Sequence, residues 1–197
     1  MFKKLFGKRK KAGSIYIIQL NDKIMPIDRG EYYEDPIDEF LRSNQYGEVV
    51  GGGTMQAQSG EIVFCNIELL LYQGTVEQNI IEQLIGKLEN LGVPRGSQII
   101  KESTEEKITF GVLEGLGIYL DGVNLPDEVY AKCDSNIVLA ELSRLVGYAG
   151  EIQRYWQGNT ETALYFYGKS YKEMNDAIME FTNTYPLCQN ARITQIA

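Results

Sequence analysis

The sequence predicts an α+β fold made of two successive β-α-β-β-α-β units, and three observations carry that prediction. Short strings recur about one hundred residues apart. Ile17–Pro26 (IIQLNDKIMP) aligns with Ile118–Pro126 (IYLDGVNLP) once a residue is dropped, Ile37–Arg42 with Leu139–Arg144, and Gly47–Val49 with Gly150–Ile152. The offset grows from 100 residues at Leu20/Leu120 to 103 at Gly47/Gly150, then falls to 94 at Gly74/Gly168 and Ile99/Ile193, as a diverged duplication with a longer hairpin in the first copy would do. Apolar periodicity switches between 2 and 3.6 in the same order in both copies. Helix starts and stops fall at matching places.

In order along the chain, Ile15–Leu20 is a β-branched apolar run and reads as a buried strand. Asp35 followed by Pro36 reads as a helix start, with Ile37, Phe40 and Leu41 on one face. GEVVGGGTMQ and GEIVFCNIELLLY read as two strands around a turn at Gln58–Gly60. Thr75 with Gln78 reads as a capping box ahead of a stripe from Val76 to Leu91, with Gly92 ending the helix and Pro94 blocking its continuation. SQII, residues 97–100, closes the unit.

The second copy begins at Leu116–Asp121. Asp134 or Ser135 caps a helix bearing Ile137, Val138, Leu142 and Leu145, and a hairpin turns at Gly158–Asn159. Ser170 and Glu173 make an S-x-x-E box before Met174, Ile178 and Phe181, and Arg192–Ile196 closes the unit. EKITFGVLEG, between the copies, reads as an extra strand or a linker hairpin. The expected organisation is a basic tail (1–13), a first unit (14–103) and a second (104–197), each a ferredoxin-like sheet with helices on one face. The other face would be open, and the sheets would hide it by packing face to face or edge to edge.

Composition narrows the function. Of 197 residues 44% are hydrophobic and 23% charged, as in an ordinary globular chain. No apolar run reaches the roughly 18 residues a membrane helix needs, and no signal-peptide pattern follows the basic N-terminus, so a cytoplasmic protein is expected. Cys65, Cys133 and Cys188 have no metal-ligand spacing and are expected to be reduced. Histidine is absent, which removes the commonest general base and metal ligand and excludes Ser-His-Asp and Cys-His machinery. No catalytic, cofactor or metal residues are assigned, and a non-enzymatic protein is expected.

Charge is divided sharply. The first eleven residues hold six Lys or Arg, leaving 13 basic against 27 acidic residues in the remainder. Such a body repels phosphate backbones and suits a basic protein partner rather than nucleic acid. Phe2, Leu5 and Phe6 among the tail lysines admit a weak contact with an anionic membrane surface, against the plainer reading of a solvated tail.

Four segments stand out as candidate sites. Pro26–Glu39 packs six carboxylates with two tyrosines and offers Asp28, Glu31, Tyr32, Tyr33 and Glu34 as partner contacts, against the plainer reading of a solvated loop with helix-start charges. Asp127 and Glu128 are its acidic counterpart in the second copy, and Trp156 is the one tryptophan, in an aromatic hairpin with Arg154. Gly51, Gly52, Gly53 and Thr54 offer backbone amides to a ligand, or else form a bulged, closely packed strand without a phosphate-loop signature.

PLCQNARITQIA, YWQGNTETALYFYG and YLDGVNLPDEVY resemble a family of small bacterial cytosolic proteins similar to the immunity proteins encoded beside polymorphic or contact-dependent toxins. The resemblance implies a protein that occludes a basic toxin domain, and it assigns no residue roles. The alternative is a sensor of amino acids or nucleotides, since paired ferredoxin-like modules of the ACT type resemble this layout and bind between copies. A homodimer is compatible with either.

Overall fold

A computed structural model describes residues 12–197. The expectations for the tail, including the membrane contact of Phe2, Leu5 and Phe6, lie outside the described residues. The fold is mixed α+β with two antiparallel sheets, one of five strands and one of four. The first contains β1 (Gly13–Leu20), β2 (Gly47–Gln56), β3 (Ile62–Tyr72), β4 (Ser97–Lys101) and β5 (Lys107–Phe110), in the order β2-β3-β1-β4-β5. The second contains β6 (Glu114–Asp121), β7 (Gly150–Gln157), β8 (Glu161–Gly168) and β9 (Arg192–Gln195), in the order β7-β8-β6-β9. The segment expected to link the two units is therefore an edge strand of the first sheet, which extends to Phe110, past the expected boundary at residue 103. The chain leaves β5 at Gly111, with φ +113, where a Cβ would stand 2.1 Å from the Pro94 carbonyl oxygen; only glycine fits that approach.

Alternation along β1 explains its burial: Tyr16, Ile18 and Leu20 face a helical layer, while Ile15, Ile17 and Gln19 face the other way and are half-buried. The helical layer over the first sheet is α1 (Pro26–Arg29), α2 (Asp35–Ser43) and α3 (Glu77–Asn90), whose Ile37, Leu41, Ile80, Leu84 and Leu88 close the core. Over the second sheet lie α4 (Asp127–Lys132), α5 (Ser135–Val146) and α6 (Tyr171–Thr184), contributing Val138, Leu142, Met174 and Ile178. Ile18 pairs with Ile99 in one sheet and Ile118 with Ile193 in the other. The alignment of Gly74 on Gly168 is not reproduced. Gly168 is paired within β8 opposite Glu114, while Gly74 lies beyond the end of β3.

Two helix starts differ from expectation. Residues 26–43 are helical throughout, with a π-helical turn at Gly30–Glu34, so Asp35 is an interior residue and not a cap. Pro36 has no N–H and its ring crowds the carbonyl four residues back; the wider turn before it, with Asp35 N–H bonding Gly30 O, relieves the conflict. Thr75 does not cap α3 either, because its hydroxyl donates to Tyr72 O and the cap position falls at Val76. The other two starts hold. Asp134 accepts from Asn136 N–H at 2.8 Å and Ser170 from Glu173 N–H at 3.2 Å.

The sheets pack neither face to face nor edge to edge. One end of the first sheet, formed by Asn21–Ile24, the turn of the β2–β3 hairpin and the α3–β4 loop, sits on the helix-free face of the second. Tyr119, Ala163, Tyr165 and Tyr167 are buried there with Trp156 and Ile196 packed beside them.

Candidate functional site

The junction of the two halves is polar at its centre. Glu61 Oε1 accepts from the hydroxyls of both Tyr119 and Tyr165, each at 2.8 Å, and lies 3.4 Å from Lys23 Nζ. Burial alone would raise the Glu61 carboxyl, but the two hydroxyls and the lysine outweigh it and hold it below its ordinary range. Burial first, then the Glu61 contact, pushes Tyr119 up to about 12 and Tyr165 higher still. Arg154 Nη1 donates to Lys23 O at 2.6 Å, and Lys23 N–H donates to the Tyr167 hydroxyl at 3.2 Å.

Beside this junction Asp22 is wholly buried. Its carboxylate accepts from Tyr33 Oη (2.8 Å), Ile24 N–H (3.0 Å) and, from the second half, Gln153 Nε2 (3.4 Å). Burial dominates these bonds and raises its pKa to about 6.

A cleft of about 950 Å³ opens over the junction, lined by both halves. Ile24, Met25, Asp28, Glu31 and Tyr32 face Tyr148, Glu151, Gln153, Arg154 and Tyr167 across it. Asp28, Glu31, Glu151 and Glu173 set four carboxylates against Arg154 and Lys169, while Met25, Tyr32 and Tyr148 keep large apolar surfaces exposed.

The structure sorts the residues expected from the sequence. Asp28, Glu31 and Tyr32 line the cleft. Tyr33 is 1% exposed and bound to Asp22, so it is a core residue and not a contact. Glu34 is held 2.6 Å from Arg29 Nε, and Arg29 in turn donates to Gly53 O at 2.7 Å and Thr54 Oγ1 at 2.9 Å. Gly51, Gly52 and Gly53 are paired strand residues of β2, with a bulge between Val49 and Gly51, and none lines the cleft. Trp156 is half-buried at the junction and lies over Gly158. Asp127 and Glu128 are exposed on α4, which follows the far end of β6, so the two acidic segments do not form one surface. Tyr148, Glu151 and Gln153 line the cleft without having been singled out in the sequence; Glu151 and Gln153 share the strand GEIQRYW with Arg154 and Trp156, and that mixture of charged and aromatic side chains was the signal.

Among the described residues no group of three or more His, Cys, Asp or Glu is placed to hold a metal ion, and no helix is long and apolar enough to cross a membrane. No family model matches the chain, and no curated protein does. A solved structure of an unknown protein from Galdieria sulphuraria is similar over 92% of this chain and 96% of its own, at 11% identity and a TM-score of 0.28.

Proposed function

We propose that the chain is a tandem duplicate of ferredoxin-like units acting as a non-enzymatic, cytoplasmic protein-binding module, an immunity-type protein that neutralises a basic toxin domain. The duplication is supported by the strand order, which in both sheets runs second, third, first, fourth, and by the like placing of Ile18–Ile99 and Ile118–Ile193. The partner reading rests on the cleft, where four carboxylates and exposed Met25, Tyr32 and Tyr148 face solvent together. A Lys- or Arg-bearing segment entering there meets apolar area at the centre and opposite charge at the rim.

The test is a titration of the protein with the product of the gene adjacent to its own. A complex that weakens about tenfold or more in the Glu31→Lys, Glu151→Lys double variant, and weakens further with salt, supports the reading. No complex, or one indifferent to both charges, overturns it. The sensor reading is favoured by one observation, that the cleft lies between the halves. Amino acids or nucleotides that raise the melting temperature of wild type but not of Tyr32→Ala would favour it over the protein partner.

A further inference from the structure

The two sheets differ in what covers their helix-free faces. The second sheet buries Tyr119, Tyr165 and Tyr167 under the end of the first. The first sheet has no such cover among the described residues: Ile15, Ile17, Phe64, Leu70 and Ile100 are only half-buried there, and a Cβ built on Gly53 meets nothing within 4 Å.

Register arranges this face in rows. Glu68, Ile17, Ile100 and Lys107 are consecutive cross-strand partners on β3, β1, β4 and β5. The next row is Asn66, Gln19, Gln98 and Thr109. Both rows are self-complementary. A two-fold axis parallel to the strands, midway between β1 and β4, carries β3 onto the β5 position of a second copy and β1 onto its β4. Glu68 then faces Lys107, Ile17 faces Ile100, Gln19 faces Gln98, and Asn66 faces Thr109, each pair occurring twice.

The chemistry of the individual groups agrees with that pairing. Glu68 and Lys107 are exposed and in no ion pair among the described residues. Two sheets stacked about 10 Å apart leave room for these side chains to meet, with isoleucine at the centre and charge at the edges.

We propose that the free face of the five-stranded sheet is a homodimer interface, on which a second copy of the chain docks about this two-fold axis. It is independent of the cleft, which lies at the end of the sheet.

Sedimentation velocity of the full chain between about 1 and 200 μM tests it. A concentration-dependent dimer is expected. Ile17→Glu abolishes it, and Glu68→Lys or Lys107→Glu each weaken it about tenfold. The double exchange Glu68→Lys with Lys107→Glu restores it, because the charges again oppose. Circular dichroism of each variant separates lost association from lost folding, and the restored double exchange cannot arise from misfolding. A monomer at every concentration overturns the proposal, whether the chain's own basic tail or a different protein covers the face. So does a dimer that survives Ile17→Glu, or single exchanges that the double exchange does not rescue.

Discussion

Tyr33 donates its hydroxyl hydrogen to Asp22 Oδ2 at 2.8 Å, in the core of the first half and against the junction with the second. Asp22 has a raised pKa, about 6 against an ordinary 3.8. As pH rises from about 4, the unfolded chain releases this proton first, while the native state keeps it until about 6. Stability therefore falls with rising pH across that window, by about 3 kcal/mol from this group, and the loss is complete above it. Asp22→Asn mimics the protonated form. In urea denaturation it should be at least as stable as wild type at pH 7.5 and should lose the slope between pH 4 and 6. A slope equal to that of wild type in the Asn variant would assign it to other groups.

Glu61 joins the halves through two tyrosines, and truncating it removes the acceptor that both hydroxyls share. Glu61→Ala should cost about 2–4 kcal/mol, whereas Tyr165→Phe, which removes one bond and leaves the carboxylate its other partners, should cost about 1 kcal/mol. Because the Glu61 pKa is lowered, its contribution is present above the ordinary carboxylate range and is lost as pH falls below it. Chemical denaturation at pH 7 and pH 4 checks both magnitude and sign. Equal losses for the two variants would show that the carboxylate is not the shared acceptor.

Much of the scaffold was legible in the sequence because local chemistry dictates it. β-Branched runs, the turns at Gln58–Gly60 and Gly158–Asn159, and the caps at Asp134 and Ser170 act over a few residues, and each is found where it was expected. The stretch Pro26–Glu34 was not legible. Two prolines, a glycine and clustered acids within residues 26–36 read as loop, yet tertiary contacts hold the segment helical. Arg29 reaches β2 through Gly53 and Thr54, and Tyr33 reaches Asp22. Nor was the cleft legible, because its walls come from segments more than one hundred residues apart, and only the end-on-face packing brings Glu31 opposite Glu151.

Glu77 stands at the opposite end of the first sheet and accepts from Ser14 Oγ (2.5 Å), Lys101 Nζ (2.7 Å) and Tyr16 Oη (2.8 Å). The Lys101 bond, then those from Ser14 and Tyr16, hold its carboxyl down at about 2 against an ordinary 4.5. Its stabilisation is full above about 4.5 and is lost as pH falls towards 2. Glu77→Gln should cost on the order of 1 kcal/mol at pH 7 and flatten acid unfolding between those limits. An unchanged acid limb would place the acid-sensitive groups elsewhere.

Neighbouring glycines of β2 make opposite predictions, and the contrast tests whether the run is scaffold or ligand loop. A Cβ on Gly52 would lie 2.8 Å from Asn66 O and 3.0 Å from both Arg29 Nη2 and Glu34 Oε1. The alanine would push the strand away from the buried guanidinium and break the bond to Gly53 O that fixes the helical segment to the sheet. Gly52→Ala should therefore cost about 1–3 kcal/mol. Gly53 points to the free face, where an added Cβ meets nothing, and Gly53→Ala should be neutral or stabilise by about 0.5 kcal/mol by stiffening the unfolded chain. Melting temperatures of the two variants decide between steric control of this kind and a generic intolerance of side chains in the glycine run. Equal destabilisation at both positions would contradict the packing of Arg29 against Gly52.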